Sequence, residues 1–187
     1  PGVKNLSVGT TVVSSVPSFG TGGEMVVANA DHVHAVKDAS TALALGPTSC
    51  TALRILSDFG SLKKGDWIVQ NAANGAVGQA VIQIAKARGL KTINVVRGAV
   101  ESGAIDSLKK LGGDIVVPEA YFMSTEYKRL VEKLPAPKLG INGVGGDSVT
   151  NVARSLGQGA SLVTYGSVSR NAVTIPTSAL VNKNLSL

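Results

Sequence analysis

Between Trp67 and Gly89 an apolar segment, WIVQNA, passes through the turn AANGAVG into the pattern VGQAVIQIAKARG. Gly75 and Gly78 lack the Cβ atoms that would block a diphosphate or the close packing of helix on strand. N–H groups around Ala76 and Val77 would point along a helix dipole toward anionic oxygens. A turn of this kind is suited to phosphate, although GxxG also arises wherever a helix simply packs tightly on a strand. Context favours the phosphate reading. A buried strand precedes the turn, an amphipathic helix with Val77, Val81, Ile84 and Ala85 on its apolar side follows, and a strand–helix series continues beyond.

The next apolar strand, KTINVV, ends in Arg97. An acid at that point would hold the ribose 2′-hydroxyl of NAD, whereas an arginine pairs with a 2′-phosphate and favours NADPH. A surface arginine at a strand end is the competing explanation.

These groups need a frame, and the chain supplies one. After LKKGD, the strands WIVQNA, KTINVV, DIVVP, KLGINGV and SLVTYG alternate with the helical patterns VGQAVIQIAKARG, ESGAIDSLKKLGG, STEYKRLVEKL and DSVTNVARSLGQG. Such alternation predicts an α/β fold, a Rossmann-type doubly wound parallel sheet covered on both faces. AVTIPTSALVNKNLSL predicts one more strand and a short helix. The first 46 residues differ: TTVVSSV, EMVVANA and HVHAV are short β-rich pieces between Gly, Pro and Ser clusters. Helical spacing from Ser40 to Leu56 breaks at Gly46-Pro47, where we place the boundary between residues 1–46 and 47–187.

Composition narrows the function classes. The 187 residues are 44% hydrophobic and 16% charged, with 22 glycines, an ordinary globular profile. The net charge of +6 comes from dispersed Lys and Arg without a basic run or aromatic platform, so no nucleic-acid partner is expected. No apolar run is long enough to span a bilayer. The single cysteine, Cys50, excludes an intramolecular disulfide. The chain lacks an initiator Met and opens as if in mid-domain, and we read it as an internal piece of a longer protein.

KKGDWIVQNAANGAVGQAVIQIAKARGLKTINVVR, followed by GINGVGG, LVTYGSVSR and TIPTSALVNKNLSL, closely resembles the mitochondrial trans-2-enoyl thioester reductases of the zinc-free medium-chain dehydrogenase/reductase superfamily. The resemblance covers nearly the whole chain. It implies NADPH-dependent reduction of the 2,3 double bond of an enoyl thioester, carried on CoA or acyl carrier protein, in mitochondrial fatty acid synthesis. It also implies that residues 1–46 end a GroES-like catalytic domain. The diphosphate would lie on Asn74, Gly75, Ala76 and Val77 with Gly78, and the 2′-phosphate on Arg97 with Gly98 and Ala99. Tyr165, Gly166, Ser167 and Val168 match the segment on the nicotinamide side. Thr48 falls where the family usually has an asparagine near the nicotinamide. The turn has Gly-Ala where Ser-Gly is common, an exchange a backbone cradle tolerates.

The family's proton-donating tyrosine would lie upstream of Pro1, so no catalytic residue is expected in this chain, which is not expected to catalyse the reduction alone. A homodimer through sheet edges near residues 172–187 is implied as well. Two other readings stay open: a quinone or alkenal reductase of the same branch, and a non-catalytic NADPH-binding relative.

Other reactive side chains receive structural readings. Tyr165 is expected to pack and hydrogen-bond beside the nicotinamide, and Tyr121 and Tyr127 to sit half-buried on a peripheral helix. His32 and His34 alternate on a strand and share one face, but no third ligand is near, so no metal is expected. Cys50 is expected to be a small buried residue. Asp66 is expected to close a turn.

Overall fold

The computed structural model describes residues 3–16, 19–20, 22–44, 46–97 and 103–187. The chain divides into two compact units, Pro1–Cys50 and Thr51–Leu187.

In the first unit, β1 (Val12–Ser14) and β2 (Val33–Ala35) form an antiparallel pair, with Val13 opposite His34. A single 3-10 turn, Ala30–His32, leads into β2 and is capped by the Asn29 side chain, which accepts from Asp31 N at 3.0 Å. EMVVANA forms no strand, contrary to its β-rich composition, and Val26 and Val27 are exposed. A strand needs a partner for its backbone groups, and composition alone does not provide one. Helix α1 (Ala39–Ala44) follows Asp38, whose Oδ1 accepts from Thr41 N at 2.7 Å. That bond holds the Asp38 carboxyl below its usual range. The break at Gly46 is present, and Pro47 opens α2 (Pro47–Asp58), where its missing N–H leaves no bond unmade.

The second unit is built on one parallel sheet. Its strands are β3 (Trp67–Gln70), β4 (Lys91–Val96), β5 (Ile115–Pro118), β6 (Leu139–Asn142) and β7 (Ser161–Thr164), in the spatial order β5-β4-β3-β6-β7. All pairings are parallel, as the alternation predicts. Helices α3 (Ala76–Ala87), α4 (Ala104–Leu111), α6 (Thr125–Val131) and α7 (Gly146–Ser155) connect the strands. A short helix missed by the periodicity, α5 (Glu119–Phe122), precedes α6.

The two faces of the sheet carry separate apolar layers. Ile68, Leu139 and Ile141 pack with Ala52, Ile55 and Leu56 of α2 and with Val81 and Ala85 of α3. Val69, Ile93, Val95 and Leu162 pack on the other face with Tyr127, Val149 and Val152. Burial of each large aliphatic contributes about 1.5–3 kcal/mol, and both faces are covered, so strands read as apolar runs rather than alternating ones. Helix α3 buries more than the predicted stripe, because Ile82 turns toward Leu108 and Val96 beneath α4.

The C-terminal stretch holds α8 (Thr177–Lys183) but no strand of its own among the described residues. Single parallel bridges link Val173 to Gly146 and Ser186 to Ser161. Ser186 O accepts from Leu162 N at 2.8 Å, and Ser186 N donates to Ala160 O at 3.1 Å, so the chain runs beside β7 there.

A candidate cofactor site at the carboxyl edge of the sheet

Chain order reverses between β3 and β6, which are neighbours although three helical connections separate them. The crevice at such a reversal, beyond the carboxyl ends of the strands, is where open α/β sheets bind ligands. Four segments singled out in the sequence emerge on this edge: the turn after β3, Arg97 after β4, GINGVGG at β6 and the segment after β7.

The turn after β3 starts with Ala72 in the left-handed region, at φ 50°. Its carbonyl accepts from Gly75 N at 2.9 Å, closing the turn directly before α3. A Cβ on Gly75 would stand 3.2 Å from that carbonyl oxygen. A Cβ on Gly78 would stand 2.6 Å from Ala73 Cα, inside backbone that cannot swing aside. Gly78 therefore serves the packing of helix on strand, and Gly75 the tightness of the turn. Among the described residues, none accepts from the N–H of Ala76, Val77 or Gly78. These donors lie open at the positive end of a 12-residue helix, the chemistry a diphosphate calls for.

Arg97 directly follows β4 and is exposed. Gln70 lies opposite Asn94, and Ala73 N donates to Val95 O at 3.0 Å, so Arg97 leaves the sheet beside the glycine turn. Gly98 and Ala99 lie outside the described residues.

The turn after β6 is the reverse of the first in its donors. Gly143 N donates to Asn71 Oδ1 at 2.7 Å, and Val144 N and Gly145 N donate to Asn142 Oδ1 at 3.1 and 3.0 Å. Gly146 N donates to Ala172 O at 3.0 Å. Every N–H of this second glycine turn is consumed within the protein, so it offers an anion nothing. Its role is to carry the next segment: Tyr165 N donates to Asn142 O, Val168 N to Gly143 O and Ser169 N to Val144 O, each at 3.0 Å. The Tyr165 ring lies across Gly143, where a Cβ would stand 2.6 Å from its hydroxyl oxygen. Burial pushes the Tyr165 hydroxyl above its usual range. No described residue bonds that hydroxyl, so the expected packing is present without the expected hydrogen bond. Ser167 Oγ donates to Asn171 O at 3.1 Å, and Val168 is exposed.

Sequence reading overlooked the polar residues beneath these turns. Gln70, Asn71, Asn94 and Asn142 are all buried. Their signal was an asparagine at the carboxyl end of two apolar strands, QNA and INGV, each leading into a glycine-bearing turn. A second buried chain runs under α3: Gln70 Nε2 donates to Asn94 Oδ1 at 2.8 Å, and Asn94 Nδ2 donates to Thr92 Oγ1 at 2.8 Å.

The remaining candidates fall elsewhere. Thr48 lies half-buried in the first turn of α2, within the unit Pro1–Cys50. Cys50 is exposed rather than buried. His32 belongs to the 3-10 turn and His34 to β2, so they do not share a strand; both are exposed. Among the described residues no group of three His, Cys, Asp or Glu could hold a metal ion. No helix among them is long and apolar enough to cross a membrane. Tyr127 is buried, not half-buried, and its hydroxyl bonds Ser155 Oγ at 3.1 Å. Asp66 closes its turn as expected, accepting from Lys63 N at 2.8 Å and pairing with Lys138 at 2.9 Å. A groove of about 580 Å³ runs between α6, α7 and α8, lined by Tyr127, Lys128, Arg154 and Lys183. No residue of the glycine turn or of the 165–168 segment lines it.

The zinc-binding dehydrogenase family model matches residues 76–187, more than half of the chain. The chain belongs to this family. It is 49% identical over 146 residues to the mitochondrial enoyl-[acyl-carrier-protein] reductase of Dictyostelium discoideum, covering 78% of this chain and 41% of that protein. Over its whole length it is 40% identical to the Bos taurus protein of the same name, covering 51% of it. The structure of the Etr1p/NADP/crotonyl-CoA complex superposes with a TM-score of 0.76 and 31% identity, over 82% of this chain and 44% of that one. The chain thus spans about half the length, or less, of the relatives it matches. Dehydrogenase membership and the parallel sheet bear out the superfamily and the Rossmann-type fold expected from the sequence.

Proposed function

We propose that this chain forms the NADPH-binding part of a 2-enoyl thioester reductase of mitochondrial fatty acid synthesis, acting on thioesters of CoA or acyl carrier protein. The observation that carries the reading is the adjacency, on one sheet edge, of a glycine turn with open N–H donors and an arginine. An open turn accepts a diphosphate, and an arginine rather than an acid after the second strand accepts a 2′-phosphate. The names of the relatives and the NADP and crotonyl-CoA of the superposed complex support the same assignment.

In this reading Asn74, Gly75, Ala76, Val77 and Gly78 hold the diphosphate through backbone groups. Arg97, with Gly98 and Ala99, holds the 2′-phosphate. The backbone of Tyr165, Gly166, Ser167 and Val168 borders the nicotinamide. Bound NADPH supplies the hydride; the charge that then develops on the thioester oxygen calls for hydrogen-bond donors, and the α-carbon for a proton from an acid. Tyr165 is read as packing beside the nicotinamide rather than as that acid, its ring lying across Gly143. Residues 1–46 are read as the end of a GroES-like catalytic domain and 47–187 as the cofactor domain. The assembly is read as a zinc-independent homodimer joined through the sheet edge near residues 172–187, where the segment at Ser186 runs beside β7.

The test follows nicotinamide absorbance in the native enzyme with NADPH and crotonyl-CoA, and in parallel with a simple quinone. Oxidation driven by crotonyl-CoA is the expected result. Turnover of the quinone alone would replace the proposal with a quinone reductase, and binding of NADPH without turnover of either with a non-catalytic relative.

A further inference from the structure

The two glycine turns at the reversal point are joined by one pair of side-chain amides. Asn71 Nδ2 donates to Asn142 Oδ1 at 2.8 Å and to Ser148 Oγ at 3.1 Å, while Asn71 Oδ1 accepts from Gly143 N at 2.7 Å. Asn142 Nδ2 donates in turn to Thr164 Oγ1 at 3.1 Å, at the end of β7. The orientation of both amides is forced. Backbone N–H groups of Val144 and Gly145 point at one atom of Asn142, which must be its oxygen, and the N–H of Gly143 likewise demands the oxygen of Asn71. The nitrogen of Asn71 is left to face Asn142 and Ser148. All three side chains are buried, at 1%, 0% and 4% exposure, so their bonds are made within the protein rather than with bulk solvent.

From these bonds we propose that Asn71 is a positioning residue for the cofactor crevice. It fixes the separation between the open turn that follows β3 and the saturated turn that follows β6. Because the second turn carries the backbone of Tyr165, Val168 and Ser169, a shift at Gly143 moves the far side of the crevice and leaves the first turn in place. Neither end of the link touches the adenosine side, where Arg97 follows β4. The inference rests on the NADPH reading above.

That geometry separates two ligands. 2′,5′-ADP would use Arg97 and the adenosine side, whereas NADPH spans to the segment after β7. In the full 187-residue chain, Asn71→Ala is expected to weaken NADPH about tenfold while leaving 2′,5′-ADP within about twofold, the range expected for loss of buried hydrogen bonds. Asn71→Asp keeps the acceptor for Gly143 N but sets a carboxylate oxygen against Asn142 Oδ1, and should fail in the same selective way. Tyr127→Phe is the structural control. It removes a buried bond to α7 through Ser155 and should leave the ratio of the two dissociation constants unchanged. If Asn71→Ala does not fold, Ser148→Ala removes one partner of the same amide and is read in the same pair of titrations, with a smaller shift of the ratio. Parallel weakening of both ligands, or no change in either, overturns the role assigned to Asn71 while the NADPH reading stands. A wild-type chain that binds neither ligand overturns that reading, and the inference with it.

Discussion

Gln70 Nε2 donates to the carbonyl oxygen of Gly78 at 3.0 Å, tying the last residue of β3 to the first turn of α3. The same nitrogen donates to Asn94 on the neighbouring strand, so one buried side chain holds α3 at a set height above the sheet. Gln70→Leu would take the donor from the buried Asn94 Oδ1 and a second donor from Gly78 O, which keeps its bond within α3. Gln70 Oε1 itself has no partner among the described residues, which already offsets part of the gain. The expected loss is therefore at the lower end of the range for buried polar groups, about 1–2 kcal/mol, read as a lower urea midpoint with an unchanged slope. An unchanged midpoint would show that these bonds add nothing.

Gly78→Ala sets two effects against each other. Replacing an interior helical glycine by alanine favours the helix by about 1 kcal/mol. The new Cβ, however, would lie 2.6 Å from Ala73 backbone, and overpacking against fixed atoms costs about 1–3 kcal/mol. The clash should win, lowering the melting temperature and displacing α3. Gly75→Ala, with its contact at 3.2 Å, should cost less. A more stable Gly78→Ala protein would show that the helix yields at no cost.

Arg97 stands exposed at the end of β4, where its proposed partner is a phosphate rather than any protein group. Titration of the chain should give markedly tighter binding of NADPH than of NADH. Arg97→Ala should remove most of that difference, roughly tenfold or more, by weakening NADPH alone. Equal affinities for the two cofactors in the unaltered chain would remove the arginine from the site.

Burial pushes the Tyr127 hydroxyl up to about 12, against the lowering effect of its bond to Ser155. The unfolded chain loses this proton near pH 10 and the folded one near pH 12, so the folded state binds more protons across that interval. Stability from this group is complete below pH 10 and declines as pH rises toward 12. Tyr127→Phe should be less stable at neutral pH, having lost a buried hydrogen bond, yet decline less between pH 10 and 12. Parallel declines in the two proteins would refute the assignment.

The sheet was legible because its signal is local and repeated. Strands such as KTINVV are apolar throughout, which both-face burial requires, and the helices between them carry an apolar stripe. The glycine turn was legible for the same reason, since a sharp strand-to-helix connection needs small residues wherever it occurs. EMVVANA misled because β-branched composition says nothing about whether a pairing strand exists. Cys50 misled because a small apolar side chain is read as buried by habit of type, while its exposure depends on which face of α2 it occupies. Asn71 and Asn142 escaped notice for a deeper reason. They lie 71 positions apart and acquire meaning only when β3 and β6 become neighbours, a pairing that follows from sheet order rather than from any spacing along the chain.

The contrast between the two glycine turns also has a directional meaning. A symmetric crevice would admit an elongated, two-ended molecule either way round. Here one lip presents vacant donors beside an arginine, and the other has spent all its donors on Asn71, Asn142 and Ala172. In the proposed reading the crevice behaves like a keyed socket: charge would seat on the β3–β4 side, the uncharged end would be left toward β7, and head could not be exchanged for tail.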